Sequence, residues 1–260
     1  MQTSHRSQPL RVVSRGRGFT ALGLLVAAFA VAGMPAATLA QSPAASTQPA
    51  ASAAAASSLD GTWTIDPTIG SFDYAANDFS GTWVGYRVQE ELAGVGGTTA
   101  VGRSPDLTGS ITLSGTTLTA ASLTADLTTL QSDESMRDGQ LAQQGVQSNQ
   151  FPTATFVLTT PIELGSIPEE NVAFTVDATG DLTIHGVTKS VTIPLNVIRS
   201  GDIVGVSGSL TFTWGDFGME QPTSMRVVSL ADDVTMELQA FFRHDTGATA
   251  SEAPAASPAA

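Results

Sequence analysis

Gly180-Asp-Leu-Thr-Ile-His-Gly-Val-Thr-Lys189 joins two alternating runs, and its reading decides the fold. From Val172 to Ile184 the even positions carry Val172, Phe174, Val176, Ala178, Leu182 and Ile184, with Gly180 the one exception. The odd positions are small or polar. Alternation with a period of two over such a length is a strand with one buried face. Beyond Gly186 it resumes as Val191, Ile193, Leu195 and Val197, so the stretch predicts an antiparallel hairpin. His185 and Lys189, the one lysine of the chain, fall at its turn.

Working outward, the same pattern recurs. Trp63 and Ile65 alternate with threonines in a short strand. Val84, Tyr86 and Val88 share a face opposite Trp83, Gly85 and Arg87. Ser110–Leu113 and Thr117–Leu127 flank Ser114-Gly115, a hairpin signal. Thr153–Thr159 sets Ala154, Phe156 and Leu158 on one side. Val204–Trp214 and Val234–Phe242 are further strands, the last with Val234, Met236, Leu238, Ala240 and Phe242 on one face. Gly94–Gly97 reads as a turn or bulge, since no Gly-Lys-Ser/Thr ending makes it a phosphate loop. The pattern breaks at Leu130–Gln147, rich in Gln, Asp and Glu. A helix is predicted around residues 132–146, capped by Ser132, with Met136 and Leu141 as apolar contacts. About eight or nine strands without β-α-β spacing make an all-β antiparallel domain, a barrel or a sandwich.

The ends have a different composition. Residues 1–18 carry Arg6, Arg11, Arg15 and Arg17, and Phe19–Gly33 is apolar, followed by small residues up to Ala40. That is the layout of a signal peptide, and the apolar run falls short of the about 20 residues a membrane span needs. Cleavage is expected near Ala40; the alternative is retention as an N-terminal anchor. Residues 41–58 and 246–260 are dominated by Ala, Ser, Pro, Gln and Thr, a composition that predicts a disordered linker and tail around a domain at 59–245. The protein is expected to be exported, either secreted or periplasmic in the cell envelope.

Residues 1–40 hold four of the 11 basic residues and none of the 24 acids, which leaves the remainder near −17. Such a charge excludes phosphate-driven nucleic-acid binding and disfavours an anionic lipid surface. The chain has no cysteine, so disulfides, thiol nucleophiles and thiolate metal sites are excluded.

The motifs carry a resemblance. Gly180–Lys189 resembles the signature hairpin of the YceI-like family. Met136-Arg137-Asp138, with Leu141 and then Phe151-Pro152-Thr153-Ala154-Thr155-Phe156, is similar to the family's Arg-Asp … Phe-Pro-x-x-x-Phe segment. Trp214-Gly215-Asp216-Phe217-Gly218 resembles its Asp-Phe-Gly motif, and Asp233–Leu238 its closing strand. The match spans Thr62–Phe242. It implies a lipocalin-like, eight-stranded antiparallel barrel, usually exported, whose apolar interior holds a polyisoprenoid, a quinone-type lipid or a fatty amide. Family members are described as carriers, storage proteins or stress-related lipid binders. The chain departs from the pattern twice. Gln89-Glu90-Glu91 stands where members often carry a histidine, and Arg137-Asp138-Gly139-Gln140-Leu141 lacks the histidine of Arg-Asp-x-His-Leu.

The candidate apolar lining is Val84, Tyr86 and Val88, then Phe156 and Leu158, then Phe174, Val176, Leu182 and Ile184, with Phe212 and Trp214. Arg137, Asp138, His185 and Asp216 are candidates for a polar mouth or for turns. Asp216 is read as a turn former. His185 falls on the outward parity with Thr183, which favours ordering of the turn over ligand contact. The acid pairs Glu90/Glu91, Glu169/Glu170 and Asp232/Asp233 read as solvated surface, because neighbours in a strand point to opposite faces. No Gly-x-Ser-x-Gly elbow occurs, and His185 and His244 share no ligand spacing, so neither catalysis nor a metal is expected. The reading that follows is a lipid carrier with no cofactor beyond its bound isoprenoid or other lipid. The competing reading is a cell-envelope structural or interaction domain with a solid core.

Overall fold

A computed structural model of the chain describes residues 59–245. The signal peptide, linker and tail of the sequence reading lie outside the described residues. The strands are β1 (Gly61–Ile65), β2 (Trp83–Leu92), β3 (Gly96–Ser104), β4 (Leu107–Ser114), β5 (Thr117–Asp126) and β6 (Gln131–Ser132). The helix α1 (Ser135–Leu141) follows. Then come β7 (Thr153–Leu158), β8 (Ile162–Glu163), β9 (Phe174–Ile184), β10 (Val187–Ser200) and β11 (Ile203–Thr213). A 3-10 turn (Trp214–Phe217) leads to β12 (Val227–His244).

Eight strands close a ring in the order β1-β4-β5-β7-β9-β10-β11-β12 and back to β1, antiparallel throughout. The domain is thus an antiparallel barrel, not a sandwich. β12 is 18 residues long and serves two partners along one edge. Phe242–His244 pair with β1, and Val227–Gln239 pair with β2, with register shifts on either side of Leu230. β2, β3 and β6 extend the wall from there.

The quoted stretch forms the hairpin β9–β10, with Ile184 opposite Val187. Its two turn residues, His185 and Gly186, have φ of 52° and 74°. Two positive values are what a two-residue turn needs to follow the twist of its strands. The strand starts at Phe174 rather than Val172, which lies outside it and is exposed. The one break in the apolar stripe, Gly180, has a packing cause. A Cβ there would come within 2.5 Å of the Phe156 ring, which lies across it from β7.

The helix is shorter than the sequence predicts. It runs from Ser135 to Leu141 and is capped by Glu134, whose side chain accepts from the Met136 amide. Ser132 belongs to β6 instead, and its hydroxyl bonds Asp138 Oδ1 at 2.6 Å. Residues beyond Leu141 continue as turns. Leu141 is buried as expected, whereas Met136 is exposed.

The inward parity of the strands builds two apolar clusters. One gathers Phe156, Leu182, Trp214, Phe217 and Val234. The other gathers Trp63, Leu107, Ile111, Leu113 and Phe242. Trp63 is 1% exposed and stacks on His244 at 4.5 Å where β1 meets β12 and closes the ring.

Candidate functional site

The barrel interior is hollow within the second cluster and toward the first. It holds a cavity of about 150 Å³. The inward residues of β9 that line it include Phe174, Val176 and Leu182, and β7 adds Phe156 and Leu158. Val84 contributes from β2. Six of the predicted lining residues therefore meet in this lumen. Its other walls come from residues outside the predicted lining: Met236 and Leu238, which share the apolar face read for the last strand, and Ile111 and Leu123 of β4 and β5. One cation stands at this lining. Arg199, on the inward parity of β10 after Val197, is 7% exposed. Its guanidinium donates to Glu170 Oε1 at 3.0 Å and to the carbonyls of Pro168 and Gly201.

A second cavity of about 230 Å³ follows along the same walls and shares no lining residue with the first. On β2 the change falls between Val84, which faces the lumen, and Tyr86, which faces the second cavity with Val88 and Glu90. On β12 it falls between Met236 and Leu230. Val234, between them, lines neither and is 5% exposed. Trp214 lines the second cavity from the 3-10 turn, its indole N–H donating to the Ala231 carbonyl at 3.0 Å. Ile184 and Phe212, predicted to line the ligand site, belong instead to the packed layer. Ile184 is 6% exposed, and Phe212 meets Phe217 edge to face at 4.9 Å.

The second cavity is amphipathic. Arg137 reaches it from α1 and donates to Glu90 Oε1 at 2.9 Å. Its other terminal nitrogen donates to Asp133 at 2.6 Å and to the Ser132 hydroxyl. Burial lowers the Arg137 pKa, but the Asp133 bond and the Glu90 charge outweigh it, and the net direction is upward. Glu90 was expected on the surface, yet its side chain is only 4% exposed. The parity that turns Val84, Tyr86 and Val88 inward turns Glu90 inward as well. Gln140 lines the same cavity. Glu90 and Gln140, which lie in the two segments that lack the family's histidines, thus come together. The Tyr86 ring lies against Gly102 of β3, where a Cβ would meet it at 2.3 Å. The Tyr86 hydroxyl is buried and has no hydrogen-bond partner among the described residues. Burial pushes its pKa upward.

The remaining polar candidates lie in neither lining. Asp138 is held by Ser132. Asp216 accepts from Lys189 Nζ at 2.8 Å and from the amide and hydroxyl of Thr213. The Lys189 bond, with Thr213, holds its carboxyl well below the usual range. Lys189 itself lies within β10, not in the turn. His185 packs on the Phe151 ring at 4.1 Å, with Nε2 buried and without a partner among the described residues. Among the described residues no group of three or more His, Asp or Glu is placed to hold a metal.

A closed eight-stranded antiparallel barrel with an apolar lumen and an amphipathic second chamber defines a lipocalin-like protein. The comparisons narrow the class. The model of the YceI-like domain matches residues 47–242, and the chain belongs to the YceI-like family. The match begins within the Ala/Ser/Pro stretch that reads as a linker. A polyisoprenoid-binding domain from Saccharophagus degradans is similar in structure, with a TM-score of 0.52 at 16% identity, over 70% of this chain and 98% of that one. Burkholderia cenocepacia BcnA aligns with a TM-score of 0.46 at 21% identity, over 61% of this chain and 95% of its own. A Campylobacter jejuni YceI protein aligns with a TM-score of 0.43 at 22% identity, over 54% and 82% of the two chains. No curated protein matches the chain by sequence.

Proposed function

We propose that this protein is an exported, non-catalytic binder of a polyisoprenoid, quinone-type lipid or other long-chain amphiphile. The observation that carries the reading is the lumen, walled almost entirely by aliphatic and aromatic side chains. An apolar chain moved there from water gains about 0.8 kcal/mol for each CH₂ buried, with no need of directional contacts. The family and the polyisoprenoid-binding neighbour support the same class of ligand.

Size adds a constraint. A dry apolar cavity of about 150 Å³ accommodates a benzene-sized group. The lumen as packed therefore takes roughly one isoprene unit. A longer chain must push aside flexible side chains such as Met236 and Leu238, or run through the layer at Val234 and Phe212 into the second cavity. The competing reading, a solid-core envelope domain, has no support from this hollow interior. The N-terminal basic and apolar segments support export.

The test is to purify the protein from its secreted or envelope fraction without detergent, extract it with organic solvent and analyse the extract by mass spectrometry. A stoichiometric prenyl or acyl lipid is the expected result. No lipid in the extract, together with no binding of added polyprenol or quinone, sinks the reading.

A further inference from the structure

We propose that the second cavity is a head-group site that selects a neutral, hydrogen-bond-donating head, an alcohol, phenol or hydroquinone, over a phosphate or carboxylate head. The inference rests on the lipid reading and names the chemistry of its polar end.

Glu90 is the acceptor. It lies on the inward face of β2 between Val88 and Leu92, with its side chain 4% exposed. Its Oε1 takes the Arg137 bond, while Oε2 has no hydrogen bond to any described residue. In a side chain only 4% exposed, that oxygen opens on the cavity with few waters to donate to it, and a ligand O–H offers a donor. Tyr86, two inward positions away on the same strand, has an unmet hydroxyl of its own. A ligand hydroxyl can donate to Glu90, whereas the Tyr86 hydroxyl, closed over against Gly102, is reached only if its surroundings shift.

The charges disfavour an anion. Arg137 is already bonded to two carboxylates, Glu90 and Asp133, and to Ser132. Arg226, the other cation of the lining, lies 3.8 Å from Glu134. Asp133 and Asp138, just behind the lining on the helical segment, tip the local balance negative. A phosphate brought here finds Arg137 already engaged and Arg226 facing Glu134, and it meets the acids in a partly desolvated space, where like charges repel strongly.

The test compares an isoprenoid alcohol, its diphosphate and the head-less hydrocarbon of equal chain length by fluorescence displacement on the purified protein. The alcohol is expected to bind at least about tenfold tighter than the diphosphate, a difference of about 1.4 kcal/mol. Glu90→Gln keeps an oxygen toward Arg137 and removes the charge. It is expected to narrow that gap by weakening the alcohol and strengthening the diphosphate, with hydrocarbon binding held constant as the check that the lumen is intact. If Glu90→Gln does not fold, the wild-type ratio decides alone. Equal or tighter binding of the diphosphate by the wild type overturns the inference and leaves the lipid reading standing. No binding of any of the three overturns both.

Discussion

Arg137 on α1 and Glu90 on β2 are 47 positions apart in the chain and 2.9 Å apart in space, and this pair ties the only α-helix among the described residues to the inner wall of the barrel. Glu90 is nearly enclosed and Arg137 retains 19% of its side-chain exposure. The geometry turns a strand residue that would otherwise have to be apolar into part of a polar chamber.

Truncating one partner should cost more than truncating both. Arg137→Ala leaves a buried carboxylate uncompensated and is expected to lower the unfolding free energy by about 3 kcal/mol, the low end for a broken buried pair. Glu90→Leu combined with Arg137→Met replaces the pair by apolar groups and should be less destabilising than Arg137→Ala alone. Urea unfolding of the three proteins measures this, and a double variant that is the weaker of the two refutes it.

The fold was legible wherever a strand kept its alternation. Phe174 to Ile184 and Val234 to Phe242 were readable because each buries one face only. β3 was not, because Gly96, Gly97 and Gly102 erase the apolar stripe; Gly102 leaves room for the Tyr86 ring, a requirement set by another strand. The helix was overextended because its Gln-rich continuation has helical composition without the apolar spacing that would hold it to the barrel. For the site, parity turns Val176, Leu182, Ile184 and Phe212 inward alike, because it cannot tell a lumen, where the first two lie, from a packed layer, where the last two lie. Glu90 was within reach of the same parity rule. Its burial depends on Arg137, a partner 47 positions away on the helix that no strand period reveals.

Acid should destabilise the protein through specific carboxylates. Asp66 accepts from the Thr68 hydroxyl at 2.6 Å and from Arg243 at 2.7 Å, and these bonds, Thr68 first, bring its pKa down to about 2. Asp216 is depressed for the reason given above. A carboxyl whose folded pKa lies below its unfolded value of about 3.9 stabilises the fold above that pH, and loses the contribution as pH falls. Stability should therefore drop between about pH 4 and pH 2. Asp66→Asn should flatten that drop while changing little of the pH dependence above about pH 5. Denaturant titrations across this range check it, and an unchanged acid slope in the variant contradicts the assignment.

The β9–β10 turn separates a backbone requirement from a side-chain one. At Gly186 an added Cβ meets both a positive φ of 74° and the Phe151 ring at 3.0 Å. Gly186→Ala is expected to cost about 1–2 kcal/mol, the penalty for an L-residue in the left-handed region. His185→Asn keeps a residue that tolerates positive φ, and should shift stability by less than about 1 kcal/mol. Because His185 lines neither cavity, that variant should also leave lipid affinity unchanged. A tenfold loss of lipid binding in His185→Asn would return the histidine to the site.

Filling the lumen should move stability and binding in opposite directions. Val176 lines the cavity from β9, and its residue is only partly buried, so a larger side chain has room to enter. A phenyl ring is about the size of group that a cavity of about 150 Å³ holds. Val176→Phe therefore places within the protein what the ligand would otherwise supply. Filling a cavity of this kind commonly adds about 0.5–2 kcal/mol of stability, whereas forcing a ring into a packed core costs about 1–3 kcal/mol. The apo protein is expected to become more stable and to lose at least tenfold in affinity for a prenyl or acyl chain. Thermal melts with and without lipid read both quantities. If Val176→Phe is destabilised by overpacking, the lumen is not free space in solution. If it is stabilised and still binds lipid at full affinity, the chain lies elsewhere, and the second cavity would then have to hold tail as well as head.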